Sequence, residues 1–149
     1  MNVFDLLKQD HQRVRDLFSQ IAQTESRNKQ ARQQLFHELK RELIAHAHAE
    51  EKAFYPALID QLPTHDRIEE GINEHHQVEG LLNRMEGMTV QSDEWLDAVK
   101  DLEKMVEHHV REEEDEVFPK AQTLLPKDQF DPLGDQVKLV EEQEKRSTH

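Results

Sequence analysis

The sequence predicts an all-α protein, an up-down-up-down bundle of four helices with a short extra helix at the C-terminal end. Apolar residues recur every three or four positions, which is the period of a helix, and no stretch alternates as a strand does. Only 4 of the 149 residues are Gly, and the interruptions between periodic stretches are short. Short connections favour antiparallel neighbours, so the four helices are expected to alternate in direction.

Four apolar stripes define the helices of the bundle. They are separated near residues 24–28, 62–66 and 87–93. Thr64 or Asp66 is expected to cap the third helix, and Ser92 or Asp93 the fourth, because short polar side chains accept hydrogen bonds from the first free backbone N–H groups. The stripes are Phe4, Leu7, Val14, Phe18, Ile21; Phe36, Leu39, Leu43, Phe54, Ala57; Ile68, Ile72, Val78, Leu82, Met85; and Leu96, Val99, Leu102, Val106, Val117.

A more polar segment after residue 126 predicts the additional helix. Its periodic part runs from about Pro132 to Lys145, with Val137, Leu139 and Val140 as apolar contacts. The tail from residue 141 to 149 is expected to fray.

The length favours one domain, since domains typically contain about 100–150 residues. We interpret residues 1–149 as a single domain, with a core over about 3–121 and a helical extension over 127–149.

Composition and charge exclude several classes of function. The net charge of −13 predicts no nucleic-acid partner and no anionic membrane partner, because both would be repelled. The absence of Cys rules out disulfides, zinc–thiolate sites and iron–sulfur clusters, and it favours the cytoplasm. No segment has the length and hydropathy expected of a signal peptide or a membrane span. The sequence gives no indication of a protein partner.

A duplicated phrase carries the chemistry. His46 begins the pattern H-x-x-x-E-E, which ends at Pro56, and the same pattern begins at His109, 63 residues later. A second pair precedes each copy, because the residues around His11 match those around His75 at an offset of 64. The order is therefore H…HxxxE…H…HxxxE, a duplicated half-site, and two half-sites with His and carboxylate ligands can hold two metal ions between them.

The apolar stripes select six candidate ligands. Continued at helical spacing, each stripe passes through one imidazole, and two stripes also pass through a carboxylate four residues further on. Buried ionisable groups need compensation, and imidazole with carboxylate suits iron, zinc or manganese. One such His is usually a hydrogen-bonded core residue, but four at matched positions favour metal. The predicted ligands are His11, His46, Glu50, His75, His109 and Glu113.

Neighbouring residues offer competing registers. His76 and His108 adjoin two of the predicted ligands, but the apolar stripes place them about 100° around their helices, where solvent is expected. Glu51 and Glu114 repeat in both halves and lie off the stripes. They are expected either to hydrogen-bond a ligand imidazole or to be solvated.

The residues above resemble the hemerythrin-like, or HHE cation-binding, domain family over about residues 3–121. The resemblance implies a four-helix bundle around a non-haem di-iron centre. His11 and His46 would bind one iron, and His75 and His109 the other. Glu50 and Glu113 would bridge the two ions, together with an oxo or hydroxo group. The ligand types alone also accept other divalent metals.

The chain departs from oxygen-carrying hemerythrins at Gly71, where those proteins place a fifth imidazole. The gap is expected to be an open coordination position, or to be filled by water or another carboxylate. We expect a protein that binds O₂ or a related small ligand for oxygen or iron sensing, storage or delivery. The alternative is a di-iron enzyme that acts on hydrogen peroxide or nitric oxide, and a third hypothesis is a helical bundle with an incidental or metal-buffering site.

Overall fold

The computed structural model describes residues 1–59 and 65–147, and these residues form a helical bundle, as the sequence predicted. No strand occurs in these two ranges. In chain order the helices are α1 (Val3–Ala22), α2 (Lys29–Ala49), α3 (Tyr55–Leu58), α4 (His65–Met85), α5 (Asp93–Glu112), α6 (Phe118–Leu124) and α7 (Phe130–Ser147). Helices α1, α2, α4 and α5 are the four long members of the bundle, and α7 packs against α1 and α2.

Two five-residue π-helical turns interrupt the long helices. Glu50–Phe54 joins α2 to α3, and Glu113–Val117 joins α5 to α6. Both turns begin at the predicted carboxylate ligand of their half. A short 3₁₀ turn, Lys127–Gln129, precedes α7. The apolar periodicity did not predict the π turns. A π turn adds a single residue to the helix, and the apolar residues before and after it keep their helical spacing.

Polar side chains start the helices where the backbone N–H groups lack partners. The side chain of Ser92 accepts a hydrogen bond from the backbone N–H of Trp95, which confirms one of the two caps expected for α5. Asn2 and Asn28 cap α1 and α2 in the same way. Asp66 as a cap was wrong, since α4 begins at His65 and Asp66 lies in its first turn. Thr64 lies outside the described residues.

Helix α7 is longer and better packed than the sequence suggested. It begins two residues before Pro132, and it continues to Ser147 where fraying was expected. Its C-terminal part is held by contacts with the bundle: Glu141 is only 4% exposed, and Glu144 and Lys145 form ion pairs with Lys52 and Glu42. Val137 is fully buried, whereas Leu139 is exposed and its predicted apolar contact was wrong.

The apolar core forms two clusters with the polar candidates between them. On α1, residues 3–7 belong to one cluster and residues 14–21 to the other, with His11 between them. Phe4 centres the first of these and packs its ring 5.0 to 6.0 Å from the rings of Phe54, Phe118 and Phe130. Polar groups between two apolar clusters have little access to water, so their charges must be compensated locally.

None of the helices within residues 1–59 and 65–147 combines the length and the apolar character that crossing a bilayer would require.

Candidate metal centre

The six residues predicted as ligands meet in the middle of the bundle. Each long helix supplies one imidazole, and each π turn supplies one carboxylate through its first residue. None of the six is more than 7% exposed. The residues that converge are His11 from α1, His46 from α2, Glu50 from the first π turn, His75 from α4, His109 from α5 and Glu113 from the second π turn.

The six residues divide into two groups of potential ligands. One group contains His11, His46 and Glu113, and the other contains Glu50, His75 and His109. Within each group the ligand atoms lie within 4.8 Å of one another. The family resemblance implied the same division of the imidazoles. Helices α1 and α2 supply those of the first group, and α4 and α5 supply those of the second.

The two carboxylates contact imidazoles of both groups. Glu50 Oε1 lies 3.1 Å from His75 Nε2 and 3.2 Å from His46 Nε2. Glu113 Oε1 lies 3.1 Å from His11 Nε2, and its Oε2 lies 3.5 Å from His109 Nε2. A carboxylate with contacts on both sides has the placement that a bridge between two cations needs.

The competing registers lie away from this centre. The side chains of His76 and His108 are 65% and 66% exposed, and they contact the half-buried glutamates Glu51, and Glu74 and Glu112, from the solvent side. His48 instead contacts Glu144 of α7. The burial of His75 and His109 therefore follows the apolar stripes, as the sequence indicated.

Every imidazole of the centre also contacts a carboxylate through its other ring nitrogen. An Nδ1–H donated outward fixes the tautomer in which the Nε2 lone pair faces the centre. The Nδ1-to-oxygen distances are 2.7 Å for His11 with Glu114, 2.9 Å for His46 with Asp10, 3.1 Å for His75 with Glu51, and 2.7 Å for His109 with Glu74.

These outer carboxylates lie at equivalent positions in the two halves of the chain. Glu51 and Glu114, for which hydrogen bonding or solvation had both been expected, each hydrogen-bond an imidazole of the opposite half. Asp10 and Glu74 hydrogen-bond imidazoles of their own half and were not predicted from the sequence. A signal for them existed, since an acidic residue directly precedes both His11 and His75.

The π turn explains how a tyrosine reaches the centre. In a regular α-helix Tyr55 would lie about 140° around the axis from Glu50. The π turn closes a backbone hydrogen bond from the N–H of Tyr55 to the carbonyl of Glu50, which brings the two side chains to the same face. The Tyr55 hydroxyl then lies 3.1 Å from Glu113 Oε2 and 3.4 Å from Glu50 Oε1.

The space beside Gly71 is filled by this phenol. A Cβ at residue 71 would lie 2.8 Å from the Tyr55 hydroxyl oxygen, so only Gly leaves room for it. The sequence predicted an open position, a water or a carboxylate there, and Tyr55 was not among the predicted groups.

The charges of the centre compensate one another in pairs. Burial by itself would lower the pKa of His46, but Glu50 and Asp10 outweigh it and raise that pKa well above 6.5. Burial would likewise raise the pKa of Glu113, but the imidazoles, His109 foremost, hold it well below 4.5. Burial and the two carboxylates raise the pKa of Tyr55 well above 10.0. Ionised carboxylates thus favour the protonated, positively charged form of the buried imidazoles.

The donor set fits cations. Within the described residues, the buried atoms His46 Nε2, Glu50 Oε2 and Trp95 Nε1 make no well-oriented hydrogen bond, and the first two belong to the predicted ligand set. Buried polar atoms are normally satisfied, so these two indicate that a partner is missing. Imidazole nitrogen with carboxylate oxygen is a ligand set that first-row divalent metals accept.

Helix α7 adds a buried carboxyl group behind His46. Glu141 Oε2 lies 3.9 Å from His46 Nδ1, and the Glu141 carboxyl hydrogen-bonds Asp10. Burial and the nearby Asp10 carboxylate raise the pKa of Glu141 to about 9, so this group is protonated at neutral pH.

Glu141→Gln is expected to stabilise the metal-free protein at pH 7 by about 1–3 kcal/mol. Between pH 4.5 and about 9 the folded protein holds a proton that the unfolded chain releases, so stability falls as pH rises through that window. Gln keeps a donor for Asp10 and carries no titrating proton. Chemical denaturation at pH 5, 7 and 8.5 measures the effect, and an equal pH slope in both proteins would contradict it.

Two cavities adjoin the centre from different sides. The first has about 40 Å³ open to the centre of a water molecule, touches all four imidazoles, and has mainly apolar walls from α1, α2, α4 and α5. The second is near 10 Å³, and it is lined by Tyr55, Gly71 and His109 together with charged side chains that include Arg67 and Glu112. A volume of about 10–15 Å³ suffices for one water, so the first cavity admits a small molecule.

Comparison with known proteins agrees with this geometry. The sequence matches the hemerythrin HHE cation-binding domain over residues 2–121. A crystal structure of a hemerythrin HHE cation-binding domain-containing protein from Mycobacterium kansasii superposes with a TM-score of 0.86 at 26% identity, covering 99% of this chain and 89% of that one. A protein named DNA nickase from a Nostoc species is 29% identical over 140 residues. That match covers 94% of this chain but only 39% of the nickase. With a family match over most of its length and a bundle that gathers its histidines and glutamates, the chain belongs to the hemerythrin HHE cation-binding domain family.

Proposed function

We propose that the protein holds two iron ions in this centre and uses them to bind O₂ or a related small ligand. The observation that carries the proposal is the first cavity, which meets all four imidazoles and is walled mainly by side chains such as Val14, Leu43 and Val106. A small neutral molecule loses little hydration on entering such a space. A charged ligand would lose far more, because few polar groups are present to replace its water.

Iron would be held by the six predicted residues, with His11 and His46 on one side and His75 and His109 on the other. Bound iron would supply the redox equivalents and the open coordination that uptake of O₂ requires. The protein's own contribution is to hold the imidazoles in one tautomer and to keep water away. The expected roles are oxygen or iron sensing, storage or delivery.

The second cavity favours a different candidate, a di-iron enzyme that acts on hydrogen peroxide or nitric oxide. Its walls contain the Tyr55 hydroxyl, Arg67 and Glu112, which can exchange hydrogen bonds with a peroxide and pass protons. The net charge of −13 opposes DNA as a ligand, so the activity in the name of the Nostoc protein is not expected of this chain.

Iron content and absorption spectra test the proposal directly. Iron-loaded protein is expected to contain two ions per chain and, once reduced without air, to change its absorption reversibly on exposure to O₂. Rapid irreversible oxidation would contradict reversible uptake. Peroxide-dependent O₂ evolution that is lost in His109→Ala but kept in the exposed neighbour variant His108→Ala would favour the enzyme. Evolution that persists in both variants would exclude this centre as its source.

Filling the first cavity is expected to weaken ligand uptake. Ala47→Leu adds three carbons to a residue that lines it, and misfitting carbons in an apolar pocket change affinity by roughly 10–200-fold each. Iron content should stay at two ions per chain, because no ligand changes. Ala31→Leu, in the first turn of α2, is the matched control and should bind normally. Equal O₂ affinity in all three proteins would show that the ligand does not enter through this cavity.

A further inference from the structure

The two halves of the bundle differ at the seams between their helices. Helix α1 meets α5 along one seam, and α2 meets α4 along the other. The internal repeat relates the two seams, because α4 repeats α1 at an offset of 64 residues and α5 repeats α2 at an offset of 63. If the halves were fully equivalent, the first cavity would be equally close to solvent at both seams.

The first cavity reaches solvent between α2 and α4. Val14 of α1 and Val110 of α5 line it at the other seam, and they are only 4% and 3% exposed. Their counterparts in the repeat, Val78 of α4 and Ala47 of α2, line the same cavity and are partly exposed. The partly exposed residues of its wall form the mouth of the cavity: Ile44, Ala47, Val78 and Glu79.

An ion pair closes the seam between α1 and α5. Arg15 of α1 binds Glu107 of α5 through two hydrogen bonds, with Nη2 2.9 Å from Oε1 and Nε 3.2 Å from Oε2. A guanidinium that binds both oxygens of one carboxylate has a fixed orientation, so both long side chains are held across the seam.

The equivalent residues at the seam between α2 and α4 cannot form an ion pair. The repeat places Glu79 where the first half has Arg15, and Ile44 where the second half has Glu107. Glu79 instead lies 3.9 Å from His48 Nε2, and its side chain is 40% exposed. This exchange leaves the mouth open and puts a carboxylate at its edge.

The walls and the mouth act on different properties of a ligand. The apolar walls oppose an ion of either sign, because they cannot replace its water. Glu79 adds a dependence on the sign of the charge, since a carboxylate repels an anion and leaves a neutral molecule unaffected. In water, repulsion between unit charges about 4 Å apart slows an encounter by about fivefold. Salt screens it over a Debye length of about 10 Å at 0.1 M.

We infer that ligands enter the centre between α2 and α4, and that Glu79 makes this entrance selective for neutral small molecules over anions. The inference rests on the proposed function and names the class of ligand that the centre takes. Dioxygen, hydrogen peroxide and nitric oxide are uncharged and belong to this class, whereas small inorganic anions are held back.

The rates of binding of an anion and of a neutral ligand test the selection. Thiocyanate, an anion at every usable pH, is mixed with oxidised iron-loaded protein, and O₂ with reduced protein. Glu79→Gln keeps the size of the side chain and removes its charge. The ratio of the thiocyanate rate to the O₂ rate is expected to be about fivefold higher than in wild type at low ionic strength. The difference should shrink as salt is added.

Glu86→Gln is the matched control for this charge change. Glu86 follows Glu79 by seven residues, which places it about 10 Å further along α4. Its side chain is 54% exposed and pairs with Lys40, away from the mouth. This variant changes the net charge by the same amount and should keep the wild-type ratio. An equal rise in both variants would mean that overall charge, and not Glu79, sets the ratio, and it would overturn the inference.

A double variant tests where the entrance lies. Ile44→Glu with Glu79→Arg rebuilds, between α2 and α4, the pair that Arg15 forms with Glu107. It should slow the entry of both ligands while the iron content and the helical circular dichroism stay those of wild type. Entry of O₂ at the wild-type rate would overturn the entrance between α2 and α4.

The outcomes separate this inference from the function on which it rests. Equal ratios in wild type and Glu79→Gln overturn the selection by Glu79 and leave the proposed function standing. A faster thiocyanate reaction in Glu79→Gln, in protein that does not take up O₂ reversibly, supports the entrance and refutes the proposed function. Protein that binds no iron refutes both.

Discussion

Glu113→Ala is expected to weaken the binding of both metal ions by about 100-fold each. Zinc bound by four protein ligands gains about 10–16 kcal/mol, or roughly 3 kcal/mol for each ligand, which corresponds to about 100-fold in affinity. Glu113 contacts His11 through one oxygen and His109 through the other, so its loss removes a donor from each side. Metal titration followed by elemental analysis measures both affinities.

The adjacent residue supplies the matched control. Glu114 contacts His11 Nδ1 and is partly exposed, so Glu114→Ala should weaken one ion by roughly 10–100-fold and leave the other unaffected. Both variants should keep the helical circular dichroism of the parent. If Glu113→Ala lowers the affinity for one ion only, Glu113 is not a bridging ligand. If Glu114→Ala lowers the affinity for both ions equally, Glu114 does not act through His11 alone, and the distinction between Glu113 and Glu114 is wrong.

The stability of the metal-free protein and the affinity for metal are expected to change with pH in opposite directions. In the metal-free protein, carboxylates raise the pKa values of His46 and His109 well above 6.5 against the effect of burial. Their contribution to stability is fully present below pH 6.5 and is lost as pH rises through the folded-state values. The pKa of Glu113 is held well below 4.5 by the imidazoles, so its contribution is lost as pH falls below that range. From these groups, metal-free protein should be most stable between about pH 4.5 and 6.5.

Metal binding should have the opposite trend, because a cation and a proton compete for each imidazole. Affinity should rise about tenfold per pH unit for each proton displaced. Competition titrations at pH 6, 7 and 8, beside thermal unfolding of the metal-free protein at the same pH values, measure both trends. An affinity independent of pH would mean that the imidazoles are already neutral before metal arrives. Glu51→Gln, which replaces an outer carboxylate, should lower the number of protons released on metal binding. Without that carboxylate the pKa of His75 falls, so less of this imidazole is protonated before metal binds.

The candidate ligands could be predicted because they lie on the same stripe as the core. A helix repeats every 3.6 residues, so Leu7, His11 and Val14, at spacings of four and three, lie on the same inner face of α1. The same argument separates His109 from His108, and the structure leaves the latter at the surface. These positions depend only on local periodicity, which each helix carries by itself.

The partners of those ligands could not be predicted in the same way. Glu114 reaches His11, and Glu51 reaches His75, across separations of 103 and 24 residues. Tyr55 enters the centre only because a π turn shifts its register, and a π turn has no periodic signature in so short a segment. Glu141 seemed part of a frayed tail, since nothing in the sequence tells that Asp10 and His46 lie beneath α7.

The helical bundle, its two matched half-sites and its six inward-facing donors follow from the sequence, because spacing along a helix fixes which side chains share a face. The packing of the helices is needed to learn which carboxylate holds each imidazole and which cavity meets the centre. It also decided what fills the space at Gly71. Those relations join atoms on different helices, and burial makes them costly to leave unsatisfied, so only the packed bundle could fix them.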